Sequence, residues 1–97
     1  MKLHPGCEAE YRRRHDAIWP ELVDLLKATG IREYSIFLDE ETHILFGVLW
    51  ADDPQKLDTL PENAIMRKWW DYMKDLMDTN PDHSPQTQPL REVFYLA

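Results

Sequence analysis

The first long pattern of polar and apolar positions, residues 8–29, has the spacing of an amphipathic helix. Positions four, three and four residues apart form one stripe, which consists of Tyr11, His15, Ile18 and Leu22. Gly30 follows as a helix stop. Proline removes the amide that would bond the carbonyl of Asp16, so we expect a kink or a restart at Pro20. The stripe predicts a helix whose core-facing side carries a phenol and an imidazole, one turn apart.

Strict alternation of side chains marks the next two segments, residues 31–39 and residues 43–50, as strands. In the first segment, Tyr34, Ile36 and Leu38 share one side, and Phe37 lies on the other. An acidic turn of about four residues joins the two segments, as in an antiparallel hairpin. Shorter alternating segments, residues 1–4 and residues 90–96, predict a first and a last strand.

The second half of the chain adds a short helix up to Leu60 and a longer one over residues 64–77, followed by a proline-rich loop. The order strand, helix, strand, strand, helix, strand predicts one α+β domain over residues 1–97. It is typical of the ferredoxin-like fold, an antiparallel sheet with both helices on one face. Because the open face carries apolar side chains such as Phe37, we expect two copies to pair there with two-fold symmetry.

Composition narrows the classes of function. The 97 residues carry a formal net charge of -7, which argues against a nucleic-acid partner. The basic run Arg12-Arg13-Arg14 is expected to be a solvated helix face. No apolar stretch is long enough to cross a bilayer. The single cysteine, Cys7, allows no intrachain disulfide and favours a reducing, cytoplasmic setting.

Five side chains are candidates for chemistry or binding. His15 could act as a general acid or base, with Tyr11 beside it. Trp69 and Trp70 could form a wall for a flat or sugar-like ligand, and Tyr34 could contribute a phenol. On the pattern alone, a hydrogen-bonded core histidine and structural aromatic residues explain the same positions at least as simply.

Metal and phosphate sites are not predicted. The other histidines, His4, His43 and His83, show no ligand spacing, and the chain has no glycine-rich phosphate loop or nucleophile elbow.

Several motifs, in order along nearly the whole chain, resemble the L-rhamnose mutarotase family. The resemblance rests on residues 11–15 (YRRRH), 18–22 (IWPEL), 69–70 (WW), 80–82 (NPD) and 92–96 (EVFYL). Each motif alone is weak, whereas their combination is specific. Members of this family usually have several more residues before the segment that matches Met1, so the first strand is expected to be short at its start.

The resemblance implies a cofactor-free cytoplasmic homodimer of the dimeric α/β-barrel type, which interconverts the α and β anomers of L-rhamnose. It implies that His15 is the acid catalyst and that the sugar is bound by Tyr11, Tyr34, Trp69 and Trp70. In this chemistry His15 would protonate the ring oxygen. Tyr11, Tyr34 or a water molecule could remove the proton of the anomeric hydroxyl, and the sequence leaves this choice open.

Two other functions are compatible with the predicted fold, because a fold alone does not assign a function. One is a small dimeric α/β-barrel monooxygenase, including haem-degrading types. The other is a non-catalytic dimeric module that binds a sugar.

Overall fold

Three α-helices and a two-stranded antiparallel sheet form the α+β fold in the computed structural model, which describes residues 1–97. In chain order the elements are helix α1 (Glu8–Asp16), helix α2 (Pro20–Ala28), strand β1 (Ile31–Asp39), strand β2 (Ile44–Ala51), a 3₁₀ helix (Pro54–Glu62), helix α3 (Ala64–Met73) and a 3₁₀ turn (Lys74–Leu76).

The predicted helix over residues 8–29 is broken into α1 and α2, and the expected restart at Pro20 is confirmed. Pro20 is the first residue of α2, where a missing N–H costs nothing because the first amides of a helix have no intrahelical partner. The amide of Ala17 donates to the Arg13 carbonyl, which closes the last turn of α1. His15 therefore lies in the last turn of a short helix that ends before α2 begins.

The hairpin of β1 and β2 is confirmed, with Phe37 opposite Phe46 and a bulge between Arg32 and Ser35. Residues 1–4 run beside β2, where the amide of Leu45 donates to the Met1 carbonyl over 2.8 Å. On their other side lies the segment after the 3₁₀ turn, which forms a bridge between Leu3 and Met77. The first predicted strand is thus present only as isolated bridges.

Two predictions from the second half of the chain are wrong. Helix α3 ends at Met73 and not at residue 77, because Met77 is extended and pairs with Leu3. Residues 90–96 do not form a strand within this chain, and no backbone hydrogen bond involves a residue beyond Gln86. The sheet edge beside residues 1–4 is already occupied by residues 77–78, which leaves the alternating C-terminal segment without a partner strand in its own chain.

The hydrophobic core lies between the sheet and helices α2 and α3. Its buried members are Leu3, Leu22, Leu45, Met66, Trp69, Met73, Leu76 and Met77. The opposite face of the sheet exposes large apolar side chains: Phe37, Phe46, Val48 and Trp50. Alternation along the hairpin therefore divides the strands into a core side and an open apolar side, as the sequence predicts.

Candidate active site

All five predicted site residues line one open cleft of about 1210 Å³ between the helices and the core side of the hairpin. Tyr11 and His15 come from α1, Tyr34 from β1, and Trp69 and Trp70 from α3. Of its 35 lining residues 21 are hydrophobic, and the others include charged and polar side chains such as Arg12, Glu33 and His83. A largely apolar lining with polar groups that can orient a ligand is typical of small-molecule sites.

The His15 ring is held in one orientation by three contacts. Its Nδ1 lies 2.9 Å from the backbone carbonyl oxygen of Tyr11. Because a carbonyl can only accept, Nδ1 carries a hydrogen and donates it, and Nε2 is the nitrogen left for proton exchange. The Tyr11 ring stacks on the imidazole at 4.3 Å between ring centroids, and the Trp69 ring meets it edge-on at 5.3 Å.

The two candidate phenols are neutral at physiological pH. Burial raises the pKa of Tyr11 far above its ordinary value, and the proximity of Tyr34 raises it further. Burial also raises the pKa of the Tyr34 phenol. Both side chains can therefore donate and accept hydrogen bonds, but neither supplies a phenolate base near neutral pH.

Tyr34 lies across Gly47 of the neighbouring strand. Although Tyr34 is 43% exposed as a whole residue, its hydroxyl lies 3.6 Å from the position that a Cβ at Gly47 would occupy. A side chain larger than that of alanine at residue 47 would therefore reach the space that the phenol occupies beside the cleft.

Trp69 is at the centre of an aromatic cluster that includes two residues without a predicted role, Trp19 and Tyr72. Trp69 is 6% exposed and meets Trp19 edge-on at 5.1 Å. Tyr72 stacks on Trp19 at 5.6 Å and lies 5.8 Å from Trp69. The three-residue spacing of Trp69 and Tyr72 on α3 could have indicated Tyr72, since such positions share a helix face. Nothing local indicates Trp19, which precedes the restart at Pro20.

Trp70 occupies a different position from its neighbour. It is half-buried, packs against the edge of the core and lines the cleft, but it does not stack on the Trp69 cluster. Adjacent helical residues point about 100° apart. The tryptophan pair therefore contributes one residue to the core and one to the wall of the cleft.

The prediction of a solvated face for the arginine run is wrong for Arg14. Arg12 is 84% exposed and Arg13 is largely exposed, whereas the Arg14 side chain is only 11% exposed. The Arg13 and Arg14 guanidiniums both donate to Glu10, and these bonds lower the pKa of Glu10 to about 2. The Arg14 guanidinium also donates to the Tyr72 carbonyl of α3 and to the Asp75 carboxylate of the 3₁₀ turn.

The remaining histidines lie apart from one another. His4 pairs with Asp78, His43 lies near Glu8, and His83 pairs with Asp71. No group of three or more histidine, cysteine, aspartate or glutamate side chains is arranged to hold a metal ion. None of the helices combines the length and apolar character needed to traverse a membrane.

Comparison with known proteins identifies the family. A family model described as L-rhamnose mutarotase matches residues 1–96. The chain belongs to the L-rhamnose mutarotase family. It is 56% identical over 96 residues to the L-rhamnose mutarotase of Jannaschia sp. (strain CCS1), an alignment that covers 99% of this chain and 92% of that protein. The L-rhamnose mutarotase of Rhizobium meliloti (strain 1021) matches to the same extent.

The fold agrees with the assignment to the L-rhamnose mutarotase family. The crystal structure of an L-rhamnose mutarotase from Formosa agariphila superposes with a TM-score of 0.92 at 49% identity, covering 100% of this chain and 93% of that one. The resemblance drawn from the sequence motifs is therefore confirmed. The roles of the five individual site residues stay predictions, supported by their position around one cleft.

Proposed function

We propose that this chain is an isomerase that interconverts the α and β anomers of L-rhamnose. The observation that carries the proposal is the state of His15, whose ring is held between Tyr11 and Trp69 with Nε2 free. An oriented imidazole at the wall of an apolar cleft suits acid–base catalysis on a small sugar. L-rhamnose is the substrate named for the relatives, which cover almost the whole chain.

In the proposed reaction the imidazolium form of His15, which carries a hydrogen on each ring nitrogen, delivers the proton of Nε2 to the ring oxygen of the sugar and is left neutral with its hydrogen on Nδ1. The bond between that oxygen and the anomeric carbon breaks, and the anomeric hydroxyl loses its proton, which leaves an open-chain aldehyde. Rotation about the bond from the aldehyde carbon to the next carbon presents the other face of the carbonyl. Ring closure then reverses the proton transfers, so the sugar and the enzyme return to their initial protonation states.

The phenols are proposed to bind sugar hydroxyls rather than to remove protons. Tyr11 and Tyr34 are neutral near pH 7, and burial raises the pKa of both phenols further. A water molecule is proposed as the acceptor of the anomeric proton. Trp69 and Trp70 are proposed to hold the apolar face of the ring and the C6 methyl group. Indole faces suit such surfaces, and the indole N–H can reach a hydroxyl.

Saturation-transfer NMR of L-rhamnose tests this proposal, because it measures the rate of exchange between anomers directly. We expect His15→Ala to lower the exchange rate by about 10²–10⁴-fold, the usual contribution of one acid–base group. His4→Gln serves as the matched control, since His4 pairs with Asp78 outside the cleft. An exchange rate in His15→Ala equal to that of the control would exclude His15 from the mechanism. The same assay across other 6-deoxy sugars defines the specificity.

We further propose that the chain acts as a cytoplasmic homodimer of the dimeric α/β-barrel type, in which a four-stranded, ferredoxin-like sheet is completed on association. The open face of the hairpin exposes Phe37, Val48 and Trp50, a patch that monomeric proteins rarely leave uncovered. The apolar side chains of residues 90–96 are 67–83% exposed, and four of them are consecutive, residues 93–96, so that an extended segment would present apolar side chains on both of its faces. A second copy supplies a partner for both, and the free thiol of Cys7 is compatible with a reducing compartment.

Sedimentation velocity tests the dimer. We expect the full chain to sediment at twice the mass of 11.6 kDa, and a chain that ends after Pro89 to be a monomer. Arg91→Gln leaves the apolar side chains of the segment in place and is expected to remain dimeric. A full-length chain that stays monomeric at micromolar concentration would contradict the proposal.

A further inference from the structure

Arg14 connects the helix that carries His15 to the helix that carries Trp69. Its Nε donates to Glu10 of α1 over 2.7 Å, and its Nη1 donates to the backbone carbonyl of Tyr72 over 2.6 Å. Nη1 and Nη2 also donate to the two carboxylate oxygens of Asp75, over 2.9 and 3.2 Å. The guanidinium carbon lies 4.5 Å from the centroid of the Tyr72 ring.

A continuous series of ring contacts leads from Arg14 to the proposed acid. The Tyr72 ring, against which the guanidinium packs, stacks on Trp19. Trp19 meets Trp69 edge-on, and Trp69 meets the His15 imidazole edge-on. Each ring restricts the next, because the centroid separations of 5.1–5.6 Å are those of aromatic pairs in contact.

We propose that Arg14 is a positioning residue for catalysis, which holds Tyr72 and, through Trp19 and Trp69, keeps the His15 ring in its productive orientation. The proposal rests on the proposed function of His15. Arg14 does not line the cleft, so it acts through the aromatic series that begins at Tyr72.

The chemistry of the position requires arginine rather than lysine. The guanidinium donates hydrogen bonds to the Tyr72 carbonyl and to the carboxylates of Glu10 and Asp75, which lie in different directions. One of its planar faces packs on the Tyr72 ring. A guanidinium has five donors in a rigid plane, whereas an ammonium has three donors and no flat face. Arg14→Lys therefore keeps the charge but loses the stacked, multidentate geometry.

The test compares kcat and KM for anomer exchange in the full-length chain. We expect Arg14→Lys and Arg14→Met to lower kcat by about 10-fold or more, as small misplacements of catalytic groups do, with a smaller change in KM. Arg67→Met is the matched control. Arg67 is an exposed arginine of α3 whose Nε donates to the Pro61 carbonyl, away from the aromatic series. We expect this control to keep the kcat of the unmodified chain.

A double-mutant cycle with Tyr72→Leu separates positioning from a general loss of stability. If Arg14 acts through the Tyr72 ring, the loss of kcat in the Arg14→Met, Tyr72→Leu double variant is smaller than the product of the single losses. Near-UV circular dichroism of Arg14→Met is expected to lose the signal of the stacked Trp19 and Tyr72 rings. Multiplicative losses, or an unchanged kcat in Arg14→Met, would overturn the proposal.

The outcomes distinguish this proposal from the proposed function. A failure of the function appears as an unmodified chain without anomer exchange, or as a His15→Ala variant of full activity. A failure of the positioning role appears as a normal kcat in Arg14→Met, or as multiplicative losses in the double-mutant cycle, while His15→Ala has lost its activity.

Discussion

Gly47 offers a direct test of the position proposed for Tyr34, because a side chain at residue 47 would point at the phenol. A Cβ built at Gly47 lies 3.6 Å from both Cε1 and the hydroxyl oxygen of Tyr34. The backbone of Gly47 does not have the positive φ that favours glycine, so alanine and valine fit its conformation. Substitution here changes the space beside Tyr34 without straining β2.

The two substitutions are expected to have different effects. An alanine methyl at 3.6 Å makes an ordinary contact, and replacing a strand glycine raises the free energy of unfolding by about 0.5–1 kcal/mol. Valine adds methyl groups about 1.5 Å beyond Cβ. A methyl directed at Tyr34 would reduce the 3.6 Å gap to roughly 2 Å, far inside contact distance, so the phenol must move.

The functional effect is estimated from the loss of one hydrogen bond. If Tyr34 bonds a sugar hydroxyl, that bond contributes about 0.5–1.5 kcal/mol, so Gly47→Val should raise KM by about 2–10-fold. Gly47→Ala should leave KM unchanged. Measurement of KM by NMR anomer exchange, with urea denaturation for stability, separates the two effects. A Gly47→Val enzyme as stable as Gly47→Ala and with the same KM would refute the placement of Tyr34 in the sugar site.

Two further predictions concern the pH dependence of stability, measured by urea denaturation. The bonds from Arg13 and Arg14 hold the pKa of Glu10 at about 2 in the folded chain against an ordinary 4.5. In this range the folded state binds fewer protons than the unfolded chain, so the free energy of unfolding falls as the pH decreases from about 4.5 to 2. Glu10→Gln should make this fall less steep, and an equally steep fall in both chains would contradict the prediction. Burial raises the pKa of Tyr11 above its ordinary 10.0, so the folded state retains a proton that the unfolded chain releases. The contribution of neutral Tyr11 to the free energy of unfolding is therefore fully present below pH 10 and is lost as the pH rises above it. Tyr11→Phe should lessen this loss.

Local features explain which parts of the fold could be predicted from the sequence. The restart at Pro20 follows from the absent amide of one residue, and the hairpin follows from alternation around a short turn. The end of α3 could not be predicted in this way. Its apolar stripe continues to Met77, but Met77 is buried as an extended residue because it pairs with Leu3, 74 positions earlier in the chain.

The same distinction applies to the site. Tyr11 and His15 could be placed together because they share a turn of one helix. The burial of Arg14 could not be predicted, since its partners Tyr72 and Asp75 are 58 and 61 residues away. In sequence Arg14 looks like Arg12 and Arg13, and only the contact between α1 and α3 distinguishes it. Residues 90–96 are the opposite case, because the sequence predicts a strand there while the chain itself offers this segment no partner strand.

The hydrogen bond from His15 Nδ1 to the Tyr11 carbonyl has a consequence for how this site can diversify. The acceptor belongs to the main chain, so no substitution of a side chain can delete it. The ring nitrogen of His15 that carries the hydrogen is therefore fixed by a main-chain carbonyl and not by a side chain that binds the sugar. That carbonyl stays in place when the side chain at position 11 changes. Variants that accept differently configured sugars can thus be sought at positions 34 and 70, which make none of the three contacts that orient the His15 ring.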